Sequence, residues 1–254
     1  MKLVTFNLRC LWNGDGINAF CDKRGRMIVE AIRRERPDVI GFQEATVQNV
    51  AFLREHLPAY TLRFDRRTSD GPNDPFGEGL CTAYLNDTVS WDNEALFWLS
   101  ETPSVFASRY PDQSECPRIV QVSRITNRAT GEVIRLINNH FDHIAGPAQL
   151  RGAEQLVSWI KDAVPCPTVL VGDLNVEPDS PVIALLREQM TDLTDGIPMT
   201  FHDFGRLENA MKIDYIFVTA DLVDRCGRSV CWTDEQNGVF LSDHYPVCVT
   251  IEES

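Results

Sequence analysis

Residues 168–178 constrain this chain more than any other stretch. They read Thr168-Val169-Leu170-Val171-Gly172-Asp173-Leu174-Asn175-Val176-Glu177-Pro178. The β-branched, apolar start is too short for a helix and predicts a buried strand. Gly172 lets the backbone turn sharply or approach a neighbour closely. Asp173 and Asn175 lie two apart, so on an extended chain their side chains share one face. A carboxylate and an amide at the end of a buried strand are costly without partners. A hard cation carrying a phosphate would use both, and a simple turn would also accept both residue types.

The rest of the chain repeats the pattern. An alternating strand over residues 3–8 ends near Asn7, and a second apolar strand over 38–44 ends in Gln43-Glu44. Helices are predicted over 24–36, stopped by Pro37, and over 46–57. Further strands are expected over 60–64, 80–85, 94–99, 119–125, 133–139 and 213–218, with a last one reaching Ile251. Helices over 147–163 and 181–190 complete the set, the latter opened by Ser180-Pro181. Two polar stretches, 65–79 and 100–117, read as long loops, and loops of that length are commonly functional. Gly14-Asp15-Gly16-Ile17-Asn18-Ala19 matches a dinucleotide fingerprint in form only, because no strand leads directly into it.

Five apolar strands thus carry the same punctuation: Asn7, Glu44, His140, Asp173 with Asn175, and Asp243 with His244. Asp214 lies in a sixth. One such residue is usually a turn, but six converging on one sheet edge predict a site. Carboxylates and an amide offer the oxygen ligands that Mg²⁺ or Mn²⁺ prefers. A carboxylate or an imidazole could take a proton from water. No Walker A sequence and no HExxH accompany them.

With 254 residues, one domain spanning 1–254 is expected. The formal net charge of −13 argues against a tight polynucleotide binder, which usually shows a basic face. Eight cysteines without CxxC spacing suggest a reducing compartment. No segment suits a signal peptide or a membrane span, so a cytoplasmic monomer without membrane contact is expected.

Taken in order, Thr5-Phe6-Asn7-Leu8-Arg9, Gly41-Phe42-Gln43-Glu44, Asn139-His140-Phe141-Asp142-His143, Gly172-Asp173-Leu174-Asn175, Ile213-Asp214-Tyr215-Ile216 and Ser242-Asp243-His244-Tyr245-Pro246 resemble the motifs of the endonuclease/exonuclease/phosphatase superfamily. Phe97-Trp98-Leu99-Ser100-Glu101-Thr102-Pro103 and Pro117-Arg118-Ile119 further resemble a bacterial subgroup of small members. The resemblance implies a four-layered α/β/β/α sandwich of two mixed sheets flanked by helices. It implies a Mg²⁺- or Mn²⁺-dependent phosphoester hydrolase, with Glu44 on the metal and Asn7 and Asp243 nearby. Asp173 would orient or deprotonate water, Asn175 would hold the phosphate, and His244, paired with Asp214, would contact phosphate or act as base. His140 matches members in which a histidine is a candidate acid, as in sphingomyelinases and deoxyribonuclease I. Arg9, a further candidate for substrate binding, departs from the acidic residue of abasic-site nucleases.

Arg118 and Arg151 could clamp a phosphate bidentately, and Trp98 could stack on a base or sugar. The expected substrate is a small phosphorylated molecule, a sugar phosphate or nucleotide. The alternatives are a nuclease, whether a 3′–5′ exoribonuclease or a DNA endonuclease, and a non-catalytic binding module of the same fold.

Overall fold

Strand periodicity decides which side chains reach the middle of this molecule. The computed structural model describes residues 1–68 and 77–253. The chain runs β1 (Lys2–Asn7), α1 (Asp22–Glu35), β2 (Val39–Thr46), α2 (Val47–His56), β3 (Tyr60–Arg66), β4 (Glu78–Leu85), β5 (Val89–Trp98), β6 (Ile119–Asn127) and β7 (Val133–His140). It continues through α3 (Gly146–Asp162), β8 (Thr168–Asp173), α4 (Pro181–Arg187), β9 (Thr191–Asp192), β10 (Asp214–Val218), β11 (Val230–Cys231), β12 (Glu235–Gln236), β13 (Val239–Phe240) and β14 (Val247–Thr250). One sheet has the order β11-β14-β1-β2-β4-β3, the other β5-β6-β7-β8-β10-β9, and β12-β13 form a small hairpin. Both large sheets are mixed, with parallel pairs β1–β2 and β7–β8.

Three apolar clusters give the layers. Ile28, Val29 and Ile32 of α1 and Val50 and Leu53 of α2 pack on Val4, Phe6, Ile40 and Phe42 of the first sheet. Leu156 and Val157 of α3 and Val182, Ile183 and Leu186 of α4 pack on Val122, Ile137, Leu170 and Phe217 of the second. Between the sheets lie Leu3, Val39, Leu136, Val169, Val171, Ile216 and Val249. The result is the expected α/β/β/α sandwich. Gly41 permits close approach of the sheets, since a Cβ there would lie 2.7 Å from Cγ2 of Val171.

Several predicted boundaries move. The strand expected over 94–99 begins at Val89, because β5 pairs along the whole of β6. The helix expected to reach residue 190 ends at Arg187. Residues 65 and 66 belong to β3 and residues 78 and 79 to β4, while 69–76 of that predicted loop lie outside the described residues. Residues 13–18 form short 3₁₀ turns, not a phosphate-binding helix start. Among the described residues no helix is long and apolar enough to cross a membrane.

Candidate active site

The side-chain parity of each strand continues to its end. Leu3 of β1 faces the other sheet, so Asn7 does too. Val169 and Val171 of β8 put Asp173 on the same face, Leu136 of β7 does so for His140, and Ile216 of β10 for Asp214. β1, β2, β7 and β8 bring their C-terminal ends together. β10 is antiparallel to β8 and opposes Asp214 to Asp173, so its contribution comes from its start. β14 is antiparallel to β1, and Asp243 and His244 therefore arrive on the segment that precedes it.

Glu44 breaks parity. Ile40 and Phe42 point to the helices, and strict alternation would send Glu44 with them. A register shift between Phe42 and Ala45, with Glu44 at φ +53°, instead turns its carboxylate toward the site. Asn175 departs from the extended arrangement expected with Asp173. It sits at φ +52°, beyond the end of β8, and its N–H donates to Oδ1 of Asp173 at 2.9 Å. Gly172 lies under both, and a Cβ there would be 2.2 Å from the carbonyl oxygen of Asn139.

These ends surround a cavity of about 340 Å³, lined by Glu44, Asp173, Asn175, Asp243, His140 and His244 along with Arg9 and Arg118. Asn7 and Asp214 stand just behind. Nδ2 of Asn7 donates to Oε1 of Glu44 at 3.1 Å and to Oδ2 of Asp173 at 2.9 Å. Asn7 accepts the N–H of Arg9, so it orients the two carboxylates. Asp214 pairs through Oδ2 with Nδ1 of His244 at 2.8 Å, and Nε2 of His244 lies 3.8 Å from Asp173. Nε2 of His140 is 3.6 Å from the same carboxylate oxygen.

The surroundings sort the protonation states. Burial alone would raise Glu44, but the N–H of Cys10, the charge of His244 and the amide of Asn7 hold it down at about 2. Burial, reinforced by Asp214, lifts Asp173 to about 7. Burial would lower His244, yet Asp214, with Asp243 and Asp173 behind it, raises it to about 10. Burial pushes His140 well below the ordinary imidazole range, and Arg118 and Arg67 push the same way.

Two sequence candidates lie elsewhere. Trp98 is buried with Leu80 and Ile119, and its Nε1 donates to the carbonyl of Arg67, so it packs in the core and does not line the cavity. Arg151 is a half-buried partner of Asp112 with its guanidinium over Tyr110, outside the cavity. Arg118 does line the cavity. It is buried, its Nη2 lies 2.9 Å from Nδ1 of His143, and its Nε and Nη1 have no hydrogen-bond partner among the described residues. Sequence reading missed Arg67 and the apolar wall of Phe201, Met211 and Ile213. Ile213 and Met211 lie just before Asp214 in sequence, while nothing local marks Phe201.

Ligand atoms of Glu44, His140 and Asp173 lie within 4.8 Å of one another, as do those of Asp173, Asp214 and His244. Buried carboxylate oxygens beside one imidazole fit a hard divalent cation. A carboxylate-rich, imidazole-containing pocket flanked by guanidinium groups at the edge of a double sheet defines a metal-dependent phosphoester hydrolase. The chain belongs to the Endonuclease/Exonuclease/phosphatase family, whose profile matches residues 4–244.

Solved structures agree. An endonuclease/exonuclease/phosphatase from Bacteroides vulgatus is 29% identical, with TM-score 0.87 over 99% of this chain and 98% of that one. A mannosyl-6-phosphatase of Bacteroides thetaiotaomicron is 25% identical, with TM-score 0.83 over 99% of both chains. D. rerio TDP2 complexed with a single-strand DNA product shares the fold at 15% identity, with TM-score 0.74 over 100% of this chain and 99% of that one.

Proposed function

We propose that this protein hydrolyses the phosphate ester of a small phosphorylated molecule, a sugar phosphate or a nucleotide. The observation that carries the reading is the cavity itself. Its 340 Å³ suit one such molecule, and it gathers Arg9, Arg67 and Arg118 although the chain carries −13 overall. A polynucleotide would need the basic surface to continue beyond the pocket. Likeness to a mannosyl-6-phosphatase supports the same substrate class.

Asp173, lifted to about 7, is the proton acceptor for the attacking water, because a group near the working pH can both accept and release a proton. His244, hydrogen-bonded to Asp214 and raised by it, is a cationic ligand for a phosphate oxygen. Nδ2 of Asn175 donates one hydrogen to the carbonyl of Phe141 and keeps a second for phosphate. Arg118 presents its guanidinium to phosphate oxygens, and Arg9 stands across the pocket, 3.5 Å from Asp243. Glu44 and Asp243, with Asp173 and His140 adjoining, would hold Mg²⁺ or Mn²⁺. Bound there, such an ion would supply the charge that neutralises phosphate oxygens and stabilises the leaving oxygen.

The test is a hydrolysis panel of sugar phosphates, mononucleotides, a short single-stranded RNA and a plasmid, each with Mg²⁺, Mn²⁺ or EDTA. Metal-dependent release of inorganic phosphate from the small substrates, with both nucleic acids intact, is expected. Shortened RNA or nicked plasmid, lost in Asp173→Asn, would replace this reading with a nuclease.

A further inference from the structure

Arg24 belongs to none of the motifs above, yet its side chain is among the largest that are fully buried. It sits in the first turn of α1. Burying a guanidinium is expensive unless its donors are used. Nη1 donates to two backbone carbonyls, that of Leu8 at 2.9 Å and that of Leu241 at 3.3 Å. Nε and Nη2 have no hydrogen-bond partner among the described residues, and the guanidinium lies over the ring of Phe20 at 5.3 Å.

The two carbonyls are not arbitrary. Leu8 is the first residue past β1 and precedes Arg9, which takes the left-handed conformation at φ +58°. Leu241 leads into Ser242 and Asp243, on the irregular segment before β14. A left-handed arginine is locally strained and persists only where its surroundings hold it. Arg24 reaches both segments from behind and ties them through one nitrogen.

We propose that Arg24 is a positioning residue for the hydrolytic site. By bridging the Leu8 and Leu241 carbonyls it fixes Arg9 against Asp243, and with them the side of the pocket where the cation is held. Its hydrogen bonds go to backbone carbonyls and not to Glu44 or Asp243, so it acts through the segments that carry Arg9 and Asp243, one step beyond the outer partners of metal ligands, whose loss commonly costs about 10- to 100-fold in metal affinity or activity. It rests on placing the cation at Glu44 and Asp243.

The experiment compares Arg24→Lys, Arg24→Gln and Arg24→Met with Ile28→Ala, one turn along α1 in the apolar cluster beneath the first sheet. Mn²⁺ affinity by calorimetry and kcat/KM on para-nitrophenyl phosphate are read on protein shown to be folded by circular dichroism. Both quantities should fall in the order Lys, Gln, Met as donors are lost, by about 10-fold or more at the methionine end. Ile28→Ala should lose stability and leave Mn²⁺ affinity unchanged. If Arg24→Met does not fold, the Lys and Gln variants read the same gradient. Wild-type Mn²⁺ affinity and kcat/KM in both of these, or an equal loss in Ile28→Ala, would overturn the role of Arg24. A wild-type protein that binds no Mn²⁺ would overturn the cation placement instead.

Discussion

Asp214→Asn tests the electrostatic claim about His244 on the alkaline side, while on the acid side loss of the same charge lets Asp173 fall. In the native protein the pair is 2.8 Å apart and both side chains are nearly sealed from water, at 5% and 2% exposure. Lifting an imidazole from 6.5 to about 10 corresponds to roughly 5 kcal/mol in favour of its charged form. Asparagine keeps the shape but removes the charge, leaving burial to act against imidazolium. Asp173 stays 3.8 Å away as a weaker partner. The folded pKa of His244 lies above its ordinary value, so its stabilising contribution is complete below pH 6.5 and is lost as pH rises through about 10. In the variant the descending limb of the kcat profile should therefore move down by about 2 pH units or more, and kcat at about pH 8 should fall at least ~10-fold. The assay is kcat against pH with saturating Mg²⁺, alongside the nitrogen chemical shifts of His244. A variant whose descending limb stays near the wild-type position would refute the assignment of His244 as an Asp214-held cation.

Other outcomes separate the two arginines that the sequence offered together. Arg118→Ala should lower kcat/KM by about 100-fold, in line with loss of a charge-assisted contact to phosphate. Arg151→Ala should change it less than twofold and stability by under about 1 kcal/mol, since the Asp112 pair is on the surface. Gly172→Ala must push against the Asn139 carbonyl, and urea titration should show a loss of about 2 kcal/mol or more. His202 is buried, 3% exposed, against Tyr245, and burial holds it at about 4. Its contribution is present above pH 6.5 and is lost as pH falls toward about 4, by up to ~3 kcal/mol. His202→Phe should flatten that part of the stability profile in denaturant melts.

Much of this was legible in the chain because strand periodicity is a local property. Apolar alternation already placed Asn7, His140 and Asp173 at strand ends and Asp214 within a strand, and motif order supplied the family. Those positions became a site only because β10 and β14 run antiparallel to their neighbours, so their starts meet the ends of β1, β2, β7 and β8. Glu44 entered through a bulge that no periodic reading predicts, because a register shift is set by the partner strand. Trp98 and Arg151 looked available in sequence, but burial beside Leu80 and pairing with Asp112 depend on which segments become neighbours. Arg67, Phe201 and Met211 joined the pocket, and Arg24 reached behind it, through contacts between residues distant in sequence. Local patterning thus determined the strands, their faces and the chemistry they carry. Only the packing of two sheets against each other decided which of those groups share a cavity and which charges they feel, since burial and distance set both.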